Sequence, residues 1–290
     1  MLRRWVLLGL LTGCRPPQGP SDAQGLEPGR FLLAHTNDLH THFRANPAAW
    51  LPGSPDIGGF NAIDAHLGAL RRRAGEDGVL YIDGGDVLTG TPLMEYEEHG
   101  AWGGAMLDFL AAAGADTWVL GNHELDRGWD NAAALVRASP MPVLSANVRS
   151  VDDPEAAGFP GMKRHVVLQA NGLRIGVFGL TTPGLGRLAS ADTMARLDVQ
   201  PLAPIAEAEV AALEPDVDLV VALTHTGIEA DRALAEQVQG IDLIVGGHSH
   251  TAIREPERVG ETWIVQAGSY ARQLGVLDIR VVDGLSLIHI

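Results

Sequence analysis

A mixed α/β fold is predicted by three features of the sequence. Short apolar runs alternate with segments whose apolar residues recur at helical spacing, as when helices cover a sheet. Asn171-Gly172 joins two of the runs, a hairpin signal that adds antiparallel pairing. Strand-like runs also end repeatedly in Asp, Asn or His, where a loop-facing cleft would gather them. With 290 residues, 46% of them hydrophobic and 20% charged, the chain can bury a substantial core and is not compositionally disordered. Its formal net charge of −15 argues against a nucleic-acid-binding surface. The same charge repels anionic substrates unless a cation sits in the site.

Taken in order, residues 1–13 carry Arg3 and Arg4 ahead of an apolar run from Trp5 to Leu11. The run is too short to span a bilayer and is shaped like a signal peptide. Leu11-Thr12-Gly13-Cys14 resembles a bacterial lipobox. Cleavage before Cys14, the only cysteine, would free its thiol for a lipid anchor, with the Pro/Gly/Ser-rich residues 14–29 as a tether. The expectation is an exported lipoprotein facing the periplasm or cell exterior, in contact with membrane only through Cys14. An ordinary secretory signal with an incidental cysteine is the alternative. A single cysteine also means no internal disulfide, so the fold rests on its core.

Residues 31–36 read as a buried strand running into Asn37-Asp38-Leu39-His40. Pro47, Pro52 and Pro55 make 43–57 a loop. Phe60, Ile63, Leu67 and Leu70 mark a helix whose negative end suits Arg71, Arg72 and Arg73. A strand at 79–82 ends in Asp83-Gly84-Gly85-Asp86. A second helix carries Met106, Phe109, Leu110 and Ala113 and closes at Gly114. The strand 117–120 leads into Gly121-Asn122-His123-Glu124-Leu125-Asp126, and a helix runs from near Trp129 to about Ala138.

A short strand at 143–146 precedes the hairpin of 166–169 and 174–178. A helix at 203–213 and a strand at 219–223 follow, the strand ending in Thr224-His225. After a helix near 228–238, the strand 241–245 ends in Gly246-Gly247-His248-Ser249-His250, and strands at 263–266 and 274–282 close the chain. Asp283-Gly284 reads as another hairpin turn, yet no convincing return strand comes after it. Residues 285–290 back-translate to the end of a sequencing transposon, so a non-native tail and a longer natural chain are expected. A genuine terminal strand is the alternative.

Asp38, His40, Asp86, Asn122, His123, His225, His248 and His250 should converge beyond the strand ends. Together they exceed what one metal needs and suit two divalent ions in mixed N/O coordination, with Asp86 as the natural bridging carboxylate. The Asp-x-His and His-x-His spacings put both side chains on one side if strand alternation continues. Gly84-Gly85 and Gly246-Gly247 would let the backbone turn sharply and leave room beside the ions. The absence of cysteine among the donors disfavours a structural zinc site. The donor set accepts zinc, manganese or iron.

Asp38-x-His40, Gly85-Asp86, Gly121-Asn122-His123-Glu124, His225 and Gly247-His248-Ser249-His250, in this order, resemble the calcineurin-like metallophosphoesterases. Asn37-Asp38-Leu39-His40 and Asn122-His123-Glu124-Leu125-Asp126 are similar to the bacterial 5′-nucleotidase/UDP-sugar hydrolase branch. The resemblance covers roughly residues 30–282. It implies a four-layer α/β/β/α sandwich of two mixed sheets, a catalytic domain at 30–284. It implies one ion on Asp38, His40, Asp86 and His250, and another on Asp86, Asn122, His225 and His248. An activated water would attack phosphorus in line, with His123 near the leaving group and Asp126 orienting its imidazole. Thr41 departs from the family, which often has Gly there, and is expected to alter the loop rather than the ligands. Members of this branch normally carry a C-terminal nucleotide-binding domain, and the chain ends before it.

Plainer readings apply elsewhere. His35, His42, His66, His99 and His165 are expected to be structural, Glu124 to hydrogen-bond or face away, and Asp83 to support the site from behind. Trp102, Trp118 and Trp129 are expected to be core residues. The substrate expected is a nucleotide or related phosphoester. Alternatives are a 2′,3′-cyclic nucleotide phosphodiesterase, a sulfur-oxidation hydrolase of the same fold, or a surface-anchored binding lipoprotein without activity.

Overall fold

The computed structural model describes residues 25–282 and 285–289. The expected signal peptide, Cys14 and most of the tether lie outside these residues. Strands β1 (Arg30–Thr36), β2 (Val79–Asp83), β3 (Thr117–Val119) and β4 (Val143–Leu144) begin a first sheet. A second sheet takes β5 (His165–Ala170), β6 (Leu173–Thr181), β7 (Leu219–His225), β8 (Leu243–Val245), β9 (Glu257–Val259) and β10 (Thr262–Val265). The chain then returns to the first sheet with β11 (Gly275–Val282) and β12 (Leu285–His289). The strand orders are β12-β11-β1-β2-β3-β4 and β5-β6-β7-β8-β10-β9. Both sheets are mixed. Strands β1 to β4 are parallel and β11 and β12 antiparallel; β6, β7, β8 and β10 are parallel, with antiparallel β5 and β9 outside them.

Parallel neighbours need crossovers, and helices supply them. In the first sheet these are α1 (Phe60–Ala74), α2 (Ala105–Ala112) and α3 (Gly128–Ala138); in the second they are α4 (Leu202–Leu213) and α5 (Ile228–Gln237). Strand alternation on β1 sorts its side chains into layers. Phe31 and Leu33 enter the core between the sheets, with Ile175, Val221, Val245 and Trp263 of the second sheet. Ala34 faces the helices with Phe60, Leu67, Met106 and Trp118. On the far side, Phe178, Val220 and Ile244 pack on Val210, Leu213 and Leu234. These are three apolar layers between four layers of secondary structure, the sandwich that the resemblance implied. Among the described residues no helix is long and apolar enough to cross a membrane.

The Asn171-Gly172 turn forms as read, with φ of 45° and 84°, the doubly left-handed pair of a type I′ hairpin. Asn171 does more than turn: its Nδ2 also donates to the carbonyls of Glu27 and Arg30 at 2.7 and 2.8 Å, tying down the start of β1. Strand β4 stops at Leu144, two residues short of the expectation. Beyond it Ser145 and Asn147 bond Thr181 at the end of β6, linking the two sheets. The short antiparallel pair Val148–Ser150 and Leu197–Val199 had no sequence signal. Residues 285–289 pair with β11 as a return strand, the alternative to the expected non-native tail, with Val282↔Leu285 and Asp278↔His289 in register.

Candidate metal centre

The parallel strands of both sheets point their carboxyl ends at one cleft. Loops after β1, β2 and β3 bring Asp38, His40, Asp86, Asn122 and His123; the end of β7 brings His225, and the loop after β8 brings His248 and His250. All of the expected donors except Asn122 fall into three tight groups: Asp38, His40 and His250; His40, Asp86 and His123; and Asp86, His225 and His248.

The way they converge differs from the expectation. Asp38, His40, Asp86, His248 and His250 lie past the strands, with φ of 51°, 48°, 53°, 76° and 54°. Left-handed loop backbone, not continued strand alternation, aims these side chains. Such conformations cost on the order of 1–3 kcal/mol each for non-glycine residues and persist only where surroundings fix them. Here Asp38, His40 and Thr41 donate their N–H groups to the carbonyls of Gly85, Asp86 and Val87 at 2.8, 2.9 and 2.8 Å, zipping two ligand loops together. Thr41, buried at φ 55°, accepts the Thr91 N–H on its Oγ1 at 2.8 Å, so the residue that departs from the family's usual Gly is anchored through its hydroxyl.

The glycines also act differently. Only Gly85 of the four has a left-handed φ, 84°. Gly84 and Gly247 are needed for close approach: a Cβ on Gly247 would lie 2.4 Å from the Gly84 carbonyl oxygen. Backbone of one sheet meets backbone of the other there.

Each donor is oriented from behind. His40 Nδ1 donates to the carbonyls of Leu88 and Thr89 at 3.2 and 2.8 Å, and His225 Nδ1 to that of Gly84 at 2.7 Å, which turns both Nε2 atoms inward. Asp38 accepts from Asn37 Nδ2 at 2.6 Å and from the His248 N–H at about 3.0–3.1 Å. Asp86 accepts the His123 N–H on Oδ1 at 2.8 Å, leaving Oδ2 between three imidazoles. That oxygen lies 3.0 Å from His225 Nε2 and 4.0 Å from both His40 Nε2 and His123 Nε2.

These spacings fit a metal. Bonds of about 2.0–2.1 Å in a tetrahedron place ligand atoms about 3.3 Å apart. Around Asp38 Oδ1 the distances are 3.3 Å to His250 Nε2 and 3.9 Å to His40 Nε2, with 3.0 Å between the two nitrogens. Asn122 Oδ1 is buried without a hydrogen-bond partner, although protein interiors rarely leave such an atom unsatisfied. Charge says the same. Burial would lower His225, but Asp86 and then Asp38 outweigh it and push the imidazole up to about 10. Burial would raise Asp86, but His225 and the His123 N–H hold it well below the usual carboxylate range. The pocket calls for positive charge, which a divalent cation would provide in place of the proton.

His123 is the donor nearest solvent, its side chain 35% exposed. Its Nδ1 pairs with Asp126 Oδ2 at 2.7 Å, which also accepts from Thr89 Oγ1 at 2.7 Å. The Asp126 hydrogen bond raises His123 to about 9. Glu124, between them, is fully buried and accepts four backbone N–H groups, those of Gly121, Asp86, Val87 and Leu88, at 2.8–3.2 Å. It fixes the loop that carries Asp86. Asp83 is likewise buried, bonded by Thr36 Oγ1 and the Gly85 N–H.

Three supporting residues had no assigned part in the sequence. Asn37 spans Asp38 and the Gly268 carbonyl, Thr89 holds Asp126, and Tyr270 lays its ring against His40, His42 and His250 at 5.4, 4.6 and 5.1 Å. Apart from the adjoining Asn37–Asp38 pair, their partners lie far along the chain, so no local pattern marks Thr89 or Tyr270. Of the tryptophans, Trp118 is core as expected, Trp129 packs on Phe159, and Trp102 is instead 38% exposed beneath Arg127.

The family described as calcineurin-like phosphoesterase matches residues 31–252. A 5′-nucleotidase of Mus musculus is 30% identical over 261 residues, covering 86% of this chain and 42% of that protein. The solved 5′-nucleotidase precursor of Thermus thermophilus superposes with a TM-score of 0.75 at 25% identity, over 90% of this chain and 54% of that one. Sulfate thiohydrolase SoxB of Thermus thermophilus shares the fold, with a TM-score of 0.76 at 22% identity over 94% and 57% of the two chains. The chain spans about two fifths of the length of the curated relatives it matches.

Proposed function

The chain belongs to the calcineurin-like phosphoesterase family, and from that premise we propose that it carries the catalytic centre of a 5′-nucleotidase-type phosphohydrolase dependent on two divalent cations. The observation that carries this reading is the set of three donor groups linked through His40 and Asp86, with Asn122 Oδ1 buried and unpartnered. Asp38, His40, Asp86 and His250 would hold one ion; Asp86, Asn122, His225 and His248 would hold the other. Bound there, the cations would supply Lewis acidity toward a phosphoryl oxygen and offset the chain's acidic charge.

The remaining work falls to side chains. His123, protonated because Asp126 raises it to about 9, presents Nε2 to the cleft and donates its proton to the departing ester oxygen. Asp126 and Thr89 keep the ring from rotating. Glu124 holds the Asp86 loop in register as charge builds at the phosphoryl group. At the other end of the chain, we read residues 1–13 as a signal peptide and Cys14 as a lipid anchor, supported by Arg3, Arg4, the following apolar run and the lipobox-like sequence.

The test is phosphate release from a nucleoside 5′-monophosphate with added manganese or zinc. Turnover that a chelator abolishes, and that Asp86→Ala removes together with bound metal, is expected. Hydrolysis that persists without metal would sink the reading.

A further inference from the structure

We propose that the open edge of the first sheet at residues 273–277 is a docking site for an extended, acid-flanked peptide segment of a partner protein, bound as an added strand beside β11. The inference is independent of the hydrolytic reading and rests on residues outside the metal centre.

The edge follows from register. The Val281 N–H donates to the Gly29 carbonyl at 2.9 Å, and bonding alternates along an antiparallel pair. Odd-numbered residues of β11 therefore bond β1, while even-numbered ones turn N–H and C=O outward. Strand β12 meets these outward groups only from Asp278 to Val282, opposite His289 to Leu285. Leu274 and Val276 turn outward as well, and among the described residues no strand lies beside them; Leu274 makes no backbone hydrogen bond there. Open edges are usually blunted by proline or charge. Gln273-Leu274-Gly275-Val276-Leu277 has neither.

Each face of this edge has its own cavity. Side chains alternate, so Leu274 and Val276 face α1 while Gly275 and Leu277 face the second sheet. On the helix side about 350 Å³ is enclosed between Leu274, Val276 and the α1 residues Ile63, His66 and Leu70. On the other side about 530 Å³ lies between the sheets, bounded by His35, Ile253, Val265 and Leu277. An added strand would send successive side chains alternately into the two cavities. In that mode main-chain bonds give affinity and the pockets give selectivity.

The lining describes the occupant. His35 Nδ1 is buried in the wall of the larger cavity with no hydrogen-bond partner, and burial lowers the imidazole to about 4, which keeps it neutral. Its ring lies over Gly275, where any Cβ would collide with it, so no side chain of β11 screens it. A hydroxyl side chain of the docked segment would satisfy that nitrogen. Arg272 stands at the smaller cavity and Arg254 at the larger, both exposed, and no carboxylate lines either in a chain of net charge −15. Carboxylates at the two ends of the segment would complement them. A second copy would present the same arginines and is the poorer fit.

The probe is a blocked, fluorescein-labelled peptide, Asp-Val-Thr-Val-Thr-Val-Asp, followed by fluorescence anisotropy with the intact chain. Saturable binding is expected. Val276→Pro removes an outward N–H without touching the bonds to β1, and should weaken binding about tenfold, the worth of one hydrogen bond. A peptide methylated on its backbone nitrogens, which leaves the protein untouched, should bind at least about tenfold more weakly. Exchanging both aspartates for lysine should weaken binding at low salt. No binding by the unaltered chain, or equal binding in any of these three comparisons, would overturn the proposal. A dimer in light scattering that Val276→Pro dissociates would overturn it too, by giving the edge to a second copy.

Discussion

The two halves of the candidate metal centre are built from different chemistry. Loops of the first sheet bring both carboxylates, Asp38 and Asp86, with Asn122, His40 and the His123–Asp126 pair. Loops of the second sheet bring three imidazoles, His225, His248 and His250, and no carboxylate to any donor group. The second half alone has no carboxylate to offer a divalent cation, and two of the three donor groups draw on both sheets. They meet where Gly84 faces Gly246 and Gly247 backbone to backbone, and His225 and His248 each bond across that contact, to Gly84 and Asp38. The site is therefore a property of how the sheets dock rather than of either sheet.

The most damaging change is one that separates the halves without touching a donor. Gly247→Ala would set a methyl 2.4 Å from the Gly84 carbonyl oxygen, and backbone cannot yield as a flexible side chain could. Both cations should be lost and hydrolysis should fall about a thousandfold, equivalent to about 4 kcal/mol of lost charge stabilisation. Elemental analysis of the purified variant checks this, and two retained ions per chain would show that the halves tolerate displacement.

His123→Ala cuts into the first half alone. Turnover should drop by about 10²–10³-fold with the metal content unchanged, because general acid catalysis is lost while the remaining donors stay in place. Loss of metal along with turnover would make His123 a ligand, consistent with its grouping near His40 and Asp86.

The smallest effect concerns stability of the metal-free protein. Burial raises Asp83 and Glu124 to about 7 and Asp231 to about 6. A carboxyl raised above its unfolded value contributes stability that is complete below about pH 4 and lost as pH climbs through 6 to 7. His35, buried and lowered to about 4, works the other way: its contribution is lost as pH falls from about 6.5 toward 4. Burial also raises Asp116 and lowers His40, His42 and His248, so the raised acids and lowered imidazoles oppose one another between pH 5 and 7. A variant isolates one acid: metal-free Asp231→Asn should lose less melting temperature from pH 5 to pH 7 than the unaltered protein does. Thermal melts in chelator read this directly, and an equal or greater loss in the variant would contradict the burial assigned to Asp231.

Local sequence went a long way here. The alternation of Phe31, Leu32, Leu33 and Ala34, the helical spacing from Phe60 to Leu70 and the Asn171-Gly172 turn are short-range patterns, and each formed with ends shifted by a residue or two. The eight donor and acid/base positions gathered from the strand ends all reached one cleft. Their aim does not follow from spacing: Asp-x-His and His-x-His would share one side if strand alternation continued, whereas left-handed loop residues turn the side chains. Glu124 was read as support, but its four backbone N–H donors come largely from the loop after β2, which no local pattern could announce.

What the sequence determined by itself was the inventory: which donors exist, in what order, and that they follow strands, since residue type and short-range periodicity are local properties. What the tertiary structure decided was the pairing, which the resemblance implied but chain spacing does not encode. His250 joins Asp38 while His248 joins Asp86, and His225 is turned by a carbonyl 141 residues away, because sheet docking sets distances that chain spacing does not encode.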